Sequence, residues 1–148
     1  MHIDFERVEY ASLNSRQREN YNFHKLTAVL ADYGFTALRL TDDWEGADFI
    51  ALHIDGETLL RVQLKGRLSF HQKYVGKGLH VGFPSGVDWY LYPHDETLAL
   101  VLASTSVGDT ASWKEHGGYS FPGLSRQMRA LLDPYRLPYA ASANPAGS

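Results

Sequence analysis

Ala47-Asp48-Phe49-Ile50-Ala51-Leu52-His53-Ile54 and Glu57-Thr58-Leu59-Leu60-Arg61-Val62-Gln63-Leu64-Lys65, separated by Asp55-Gly56, are the segments whose reading decides the fold. Asp-Gly between apolar-rich runs predicts a β-hairpin closed by a two-residue type I′ turn, in which both turn residues take positive φ. Side chains of a strand alternate between its faces. Leu59, Arg61, Gln63 and Lys65 therefore share one face, and Leu60, Val62 and Leu64 the other. The first strand carries one acid, Asp48, near its start. The hairpin brings that start back beside Gln63 and Lys65, so a carboxylate, an amide and an ammonium meet at one end of a mostly apolar ribbon.

Asp48 followed at a distance by Gln63-Leu64-Lys65 resembles the active-site signature of the PD-(D/E)XK nuclease superfamily, the fold of many restriction enzymes and Holliday-junction resolvases. The resemblance covers about residues 14–103. It implies a restriction endonuclease-like α/β core, a mixed β-sheet flanked by helices. It further implies metal-dependent hydrolysis of DNA phosphodiester bonds, with Asp48 and Gln63 as ligands of Mg²⁺ (Mn²⁺ as a substitute) and Lys65 positioning or activating the attacking water. Two positions depart from the family pattern. Ala47 stands where the motif's proline would, and Gln63 offers a neutral oxygen in place of a carboxylate. In this superfamily the helix before the sheet often donates a further acid, and Glu19 is the candidate here.

Upstream, Leu13 to about Tyr33 has the pattern of a helix, with Ser12 or Asn14 as N-cap and Gly34 just past its end. Phe23, Leu26, Val29, Leu30 and Tyr33 form its apolar stripe. Glu19 lies four residues before Phe23, extending the stripe; the alternative is an exposed ion pair with Arg16 or Lys25. Phe35 to Leu40 is a first strand, and Thr41-Asp42-Asp43-Trp44-Glu45-Gly46 is a turn. Its acids are either supplementary ligands or, as the favoured reading, a solvated loop.

The formal net charge of −3 is poor for phosphate binding, but its distribution is uneven. No Asp or Glu occurs from Thr58 to Val87, a stretch that holds Arg61, Lys65, Arg67, Lys73 and Lys77. Arg61, Arg67, Lys73 and Lys77 are the candidates for contacting nucleic acid; a solvated face that happens to lack acids is the competing account. Tyr74-Val75-Gly76-Lys77-Gly78 has the look of a mobile loop, able to close over DNA or serving as an ordinary connection.

Farther on, strands are expected at Leu79–Phe83 and Val87–Tyr92, and Pro93-His94-Asp95-Glu96 starts a helix with Asp95 as a possible cap. Residues 98–103 suit helix or strand. Residues 104–123 are expected to be an ordered loop or short strand, and Leu124, Met128, Leu131 and Leu132 a short helix ended before Pro134. One domain, 1–139, is expected, with 140–148 a frayed tail.

Several chemistries are excluded. The chain has no cysteine, which removes thiolate zinc sites, disulfides and cysteine nucleophiles. Its 7 histidines show neither HxH nor HxxxH spacing. GxSxG, Walker and GxGxxG patterns are absent. With no apolar run of membrane-span length and an acidic, polar start, a cytoplasmic protein without membrane contact is expected. The partner is DNA, and one site per chain makes a homodimer or higher homo-oligomer the expected form for cutting both strands. A catalytically inactive nuclease-like domain that binds nucleic acid or protein is the alternative.

Overall fold

A computed structural model describes residues 1–138; the frayed tail expected at 140–148 lies outside the described residues. Helix α1 (Ser15–Ala31) opens on Asn14, whose Oδ1 accepts from the Gln17 N–H while the Gln17 side chain accepts from the Asn14 N–H, both at 2.9 Å. It ends where Gly34 takes φ +86. Then follow β1 (Phe35–Trp44), β2 (Ala47–His53), β3 (Leu59–Leu64), β4 (Ser69–His71), β5 (Leu79–Ser85) and β6 (Asp88–Pro93). The chain continues through α2 (His94–Ser104), α3 (Ala111–His116), β7 (Gly118–Ser120), α4 (Arg126–Leu132) and β8 (Arg136–Leu137).

Six strands form one mixed sheet in the order β1-β2-β3-β5-β6-β8, and β4 pairs with β7 in a separate ribbon. Within the large sheet β3 and β5 run parallel, and the other neighbours are antiparallel. This is the mixed, helix-flanked α/β sheet that the sequence predicts. Helix α1 covers one face: Phe23, Leu26, Val29 and Leu30 pack on Phe49, Ala51, Val62 and Trp89. Gly82 permits that seat, since a Cβ there would lie 2.5 Å from Leu26 Cδ2. Over the β5–β6 part of the other face, Val81, Phe83, Tyr90 and Tyr92 pack with Leu98, Val101, Met128 and Leu132 from α2 and α4 and with Phe70 of β4. No helix among the described residues is long and apolar enough to cross a membrane.

Several sequence expectations need correction. The Asp55-Gly56 connection is not a two-residue type I′ turn, because of its two residues only Gly56 has positive φ. Asp55 instead uses its carboxylate to accept from the Glu57 and Thr58 N–H groups at 2.8 Å and from Thr58 Oγ1 at 2.6 Å. That Asx arrangement opens the loop by one residue on each side, and the backbone closes with His53 N–H donating to Thr58 O. The expected acidic loop 41–46 is mostly strand. β1 runs on to Trp44, paired with Ala47, and Glu45 (φ 56) and Gly46 (φ 87) make the tight turn. Of the two readings open for residues 98–103, the helix is the one found. Within 104–123 lies α3, N-capped by Thr110 and closed by Gly117 at φ 70, which a Ser- and Gly-rich composition conceals.

Candidate active site

The antiparallel pairing of β2 and β3 sets Phe49 opposite Val62, so the next pair outward sets Asp48 opposite Gln63. Phe49 and Val62 point to α1, so Asp48 and Gln63 point to the other face. The ladder continues past β3, with Lys65 N–H donating to Gly82 O at 2.9 Å, which keeps Lys65 in strand alternation on the Gln63 side. Glu19 comes in from α1. Glu19, Asp48, Gln63 and Lys65 all line one cavity of about 290 Å³, together with Phe23, Arg39, Leu40 and Leu64. The four residues singled out from sequence are thus brought together.

A second cavity of about 490 Å³ adjoins the first, sharing Asp48 and Gln63 and adding Asp43, Glu45, Lys73, Tyr74 and Lys77. Asp43 Oδ1 accepts from the Gly46 N–H at 3.0 Å, so this acid of the supposed loop is anchored beside the site.

Asp48 Oδ2 accepts from the Leu64 N–H at 2.8 Å, which fixes the carboxylate against β3. Solvent reaches Asp48 through the cavities, yet protein crowds its carboxyl, and this desolvation raises its pKa above the usual value. The Leu64 N–H and the Lys65 ammonium oppose the rise, whereas the charges of Glu19 and Asp43 add to it. Gln63 Nε2 donates to Leu64 O at 3.3 Å; no hydrogen bond to its Oε1 occurs among the described residues. The cavity holds two acids, Glu19 and Asp48, beside two bases, Arg39 and Lys65, with the Gln63 amide between them. Such a donor set fits a hard divalent cation that keeps several of its waters. Among the described residues no group of three or more His, Asp or Glu is arranged to hold a metal ion, so a cation here would have two acids and the Gln63 oxygen as its protein donors.

Tyr74 is a site residue that the motif does not reveal. It is 6% exposed, and its ring packs edge-on against His71 and His94 at centroid distances of 5.3 and 5.6 Å. Lys65 Nζ lies 5.5 Å and Lys73 Nζ 5.3 Å from its ring centroid. His94, fully buried, braces this wall: its Nε2 accepts from the His71 N–H at 3.2 Å, so its proton resides on Nδ1, which meets Asp95 Oδ1 at 2.9 Å. Asp95 is not a helix cap; its Oδ2 accepts from the Gly76 N–H at 2.9 Å.

That contact corrects the expected mobile loop. Residues 72–74 form a 3-10 turn, Gly76 is tied to Asp95, and Lys77 pairs with Glu45 at 2.9 Å. The four basic candidates are unequal. Arg61 lies over the Trp44 ring at 4.9 Å and donates to Lys77 O, and Lys77 is bound to Glu45, whereas Lys73 and Arg67 are exposed.

No family model matches the chain, and no curated protein matches it. Among solved structures it is similar to the Holliday junction resolvase Hjc of Archaeoglobus fulgidus, an archaeal hyperthermophile. The two are 20% identical with a TM-score of 0.37, over 47% of this chain and 74% of that one. No residue role is carried across from it.

Proposed function

We propose that the chain is a Mg²⁺-dependent DNA endonuclease, with Mn²⁺ as a substitute, which hydrolyses phosphodiester bonds at the Asp48 cavity. One observation supports it above the others: Asp48, Gln63, Lys65 and Glu19, from three elements, line a single cavity. Asp48, Gln63 and Glu19 would hold the cation. A divalent cation held there polarises the phosphoryl oxygen and lowers the pKa of water. The chain's own groups do the remaining work. Leu64 N–H fixes the Asp48 carboxylate, so that its second oxygen keeps one orientation toward the cavity. Lys65, backed by the Tyr74 ring, offers a fixed ammonium to the attacking water and to the charge that develops on the phosphate. Lys73 and Arg67, being exposed, are the better placed of the basic residues to meet the strand's phosphates. With one such site per chain, cutting both strands of a duplex calls for a homodimer or higher oligomer.

The binding-only alternative draws on a different observation: with Gln63 offering a neutral oxygen, the ligand set includes only two acids. Plasmid nicking separates the two. Mg²⁺- or Mn²⁺-dependent nicking that disappears in both Asp48→Ala and Lys65→Ala supports the enzyme. No cleavage of duplex, branched or single-stranded DNA by the wild-type chain supports the binding module.

A further inference from the structure

A third cavity, of about 470 Å³, lies on the other side of α1, between that helix and the β5–β6 turn, and shares no residue with the Asp48 cavities. Its volume is that of a small-ligand site. Tyr21 and Tyr10 border it with their rings 5.3 Å apart in a T arrangement, both about two-fifths exposed, and Pro84 and Trp89 close the sheet side. The Tyr10 ring is built in: Arg18 donates to Tyr10 O and Ala11 O, and Asn22 Nδ2 donates to Tyr10 Oη at 3.0 Å. Asn22 is only 9% exposed, and its Oδ1 receives no hydrogen bond among the described residues. Lys25 Nζ stands at the rim, 5.3 Å from the Tyr21 ring centroid.

Each feature selects part of a ligand. Two fixed phenol rings offer stacking faces to a flat π-system. The Asn22 amide oxygen, at the cavity wall and with no protein donor among the described residues, is free to accept an N–H lying in the ring plane. An ammonium at the mouth asks for an anion next to that ring. A planar, N–H-bearing ring with an adjacent anion is a nucleobase carrying a phosphate. We propose that this cavity binds an unstacked nucleobase through Tyr10, Tyr21 and Asn22, with Lys25 on its phosphate. Helix α1 contributes to both cavities, with Glu19 and Phe23 on one and Tyr21, Asn22 and Lys25 on the other.

The chemistry is shared by a free nucleotide and by an unpaired base in a strand, and the test distinguishes them. The full chain carrying Asp48→Asn, in EDTA, is titrated with AMP, adenosine, ribose 5-phosphate, and a single-stranded oligonucleotide with or without one abasic position. Tryptophan fluorescence and the anisotropy of a labelled strand report binding. AMP is expected to bind and ribose 5-phosphate not to. Tyr21→Ala should weaken AMP roughly tenfold or more, the size of one base–aromatic stack, and Tyr21→Phe should not. Lys25→Ala should weaken AMP but not adenosine. A strand that binds more tightly than AMP, and loses the gain at the abasic position, assigns the base to nucleic acid; equal binding assigns a free nucleotide. Ribose 5-phosphate matching AMP, Tyr21→Ala leaving AMP unchanged, or a proline-rich peptide outcompeting every nucleotide overturns the proposal. Since Asp48 is replaced throughout, this pocket can fail while metal-dependent nicking by the wild type stands, and the reverse.

Discussion

Replacing Asp48 with asparagine tests the metal site without any DNA present. In the folded chain its carboxyl is held above the usual 3.8, chiefly by desolvation and further by Glu19 and Asp43. The folded chain therefore keeps a proton that the unfolded chain releases. The stability linked to this group is present below about pH 3.8 and is lost as pH rises through the raised folded value. At neutral pH without a cation, the ionised side chain is a net cost. Asparagine keeps the shape and an oxygen for the Leu64 N–H, and removes the charge. Asp48→Asn should therefore melt above wild type in EDTA at neutral pH, with the gap closing on acidification. Adding Mg²⁺ reverses the order of effects. Taking a dissociation constant of about 1 mM, the weak end for oxygen-ligand sites, about 10 mM Mg²⁺ stabilises wild type by RT ln(1 + 10), about 1.4 kcal/mol. For a chain of this size that is a rise of about 3–6 °C in Tm. Asp48→Asn should gain none of it. Differential scanning fluorimetry in EDTA, Mg²⁺ and ionic-strength-matched KCl reads all three arms. Equal Mg²⁺ shifts in wild type and variant, or a variant that melts lower in EDTA at neutral pH, refute the reasoning.

Tyr74→Leu removes the ring that backs Lys65, and should cut nicking by roughly 2- to 30-fold, the range of a cation–π contact. Tyr74→Phe should retain it, with thermal melts separating lost positioning from lost fold. His94→Leu leaves the His71 N–H without its acceptor inside the fold, at a cost of about 1–3 kcal/mol measured by urea unfolding. Asp55 has its carboxyl held well below the usual range by the bonds from Thr58 and Glu57, so its stabilisation is present above the usual 3.8 and is lost as pH falls towards the lowered folded value. Asp55→Ala should accordingly lower Tm at neutral pH, and the deficit should shrink in strong acid.

The site was legible because its geometry depends on register, and register survives a wrong turn type. A two-residue turn at Asp55-Gly56 would pair Ile54 with Glu57. The real loop opens by one residue on each strand, so His53 meets Thr58, and Asp48 still meets Gln63. Glu19 was legible through helical periodicity, since a position four residues before the buried Phe23 lies over the same side of α1. What composition could not show was pairing at a distance. Asp42 and Asp43 belong to a strand only because Trp44 pairs with Ala47 across Glu45-Gly46, and no local pattern overrides two adjacent acids. Tyr74 sits in a stretch of Gly and Lys that resembles a loose loop, and its burial comes from β4, β5 and α2 elements closing around it.

The basic stretch carries the same lesson to function. Counting charges from Thr58 to Val87 gives a cationic segment, but its surface is less cationic than the count, because Lys77 neutralises Glu45 and Arg61 is laid over Trp44. Those two residues fasten the β1–β2 turn to the backbone at Lys77, beyond the 3-10 turn, and Glu45 and Lys77 both line the larger Asp48 cavity. Arg61 and Lys77 thus shape the cavity wall, and under the proposed function phosphate contacts would fall to the exposed Lys73 and Arg67. A double substitution Lys73→Ala/Arg67→Ala should then lower DNA affinity and flatten its salt dependence by up to about two units of the logarithmic slope, with Tm unchanged. Lys77→Ala should instead act on nicking through the loosened turn, with little change in the salt slope. If Lys77→Ala flattened the slope as much as Lys73→Ala, its contact with Glu45 would have to open when DNA binds.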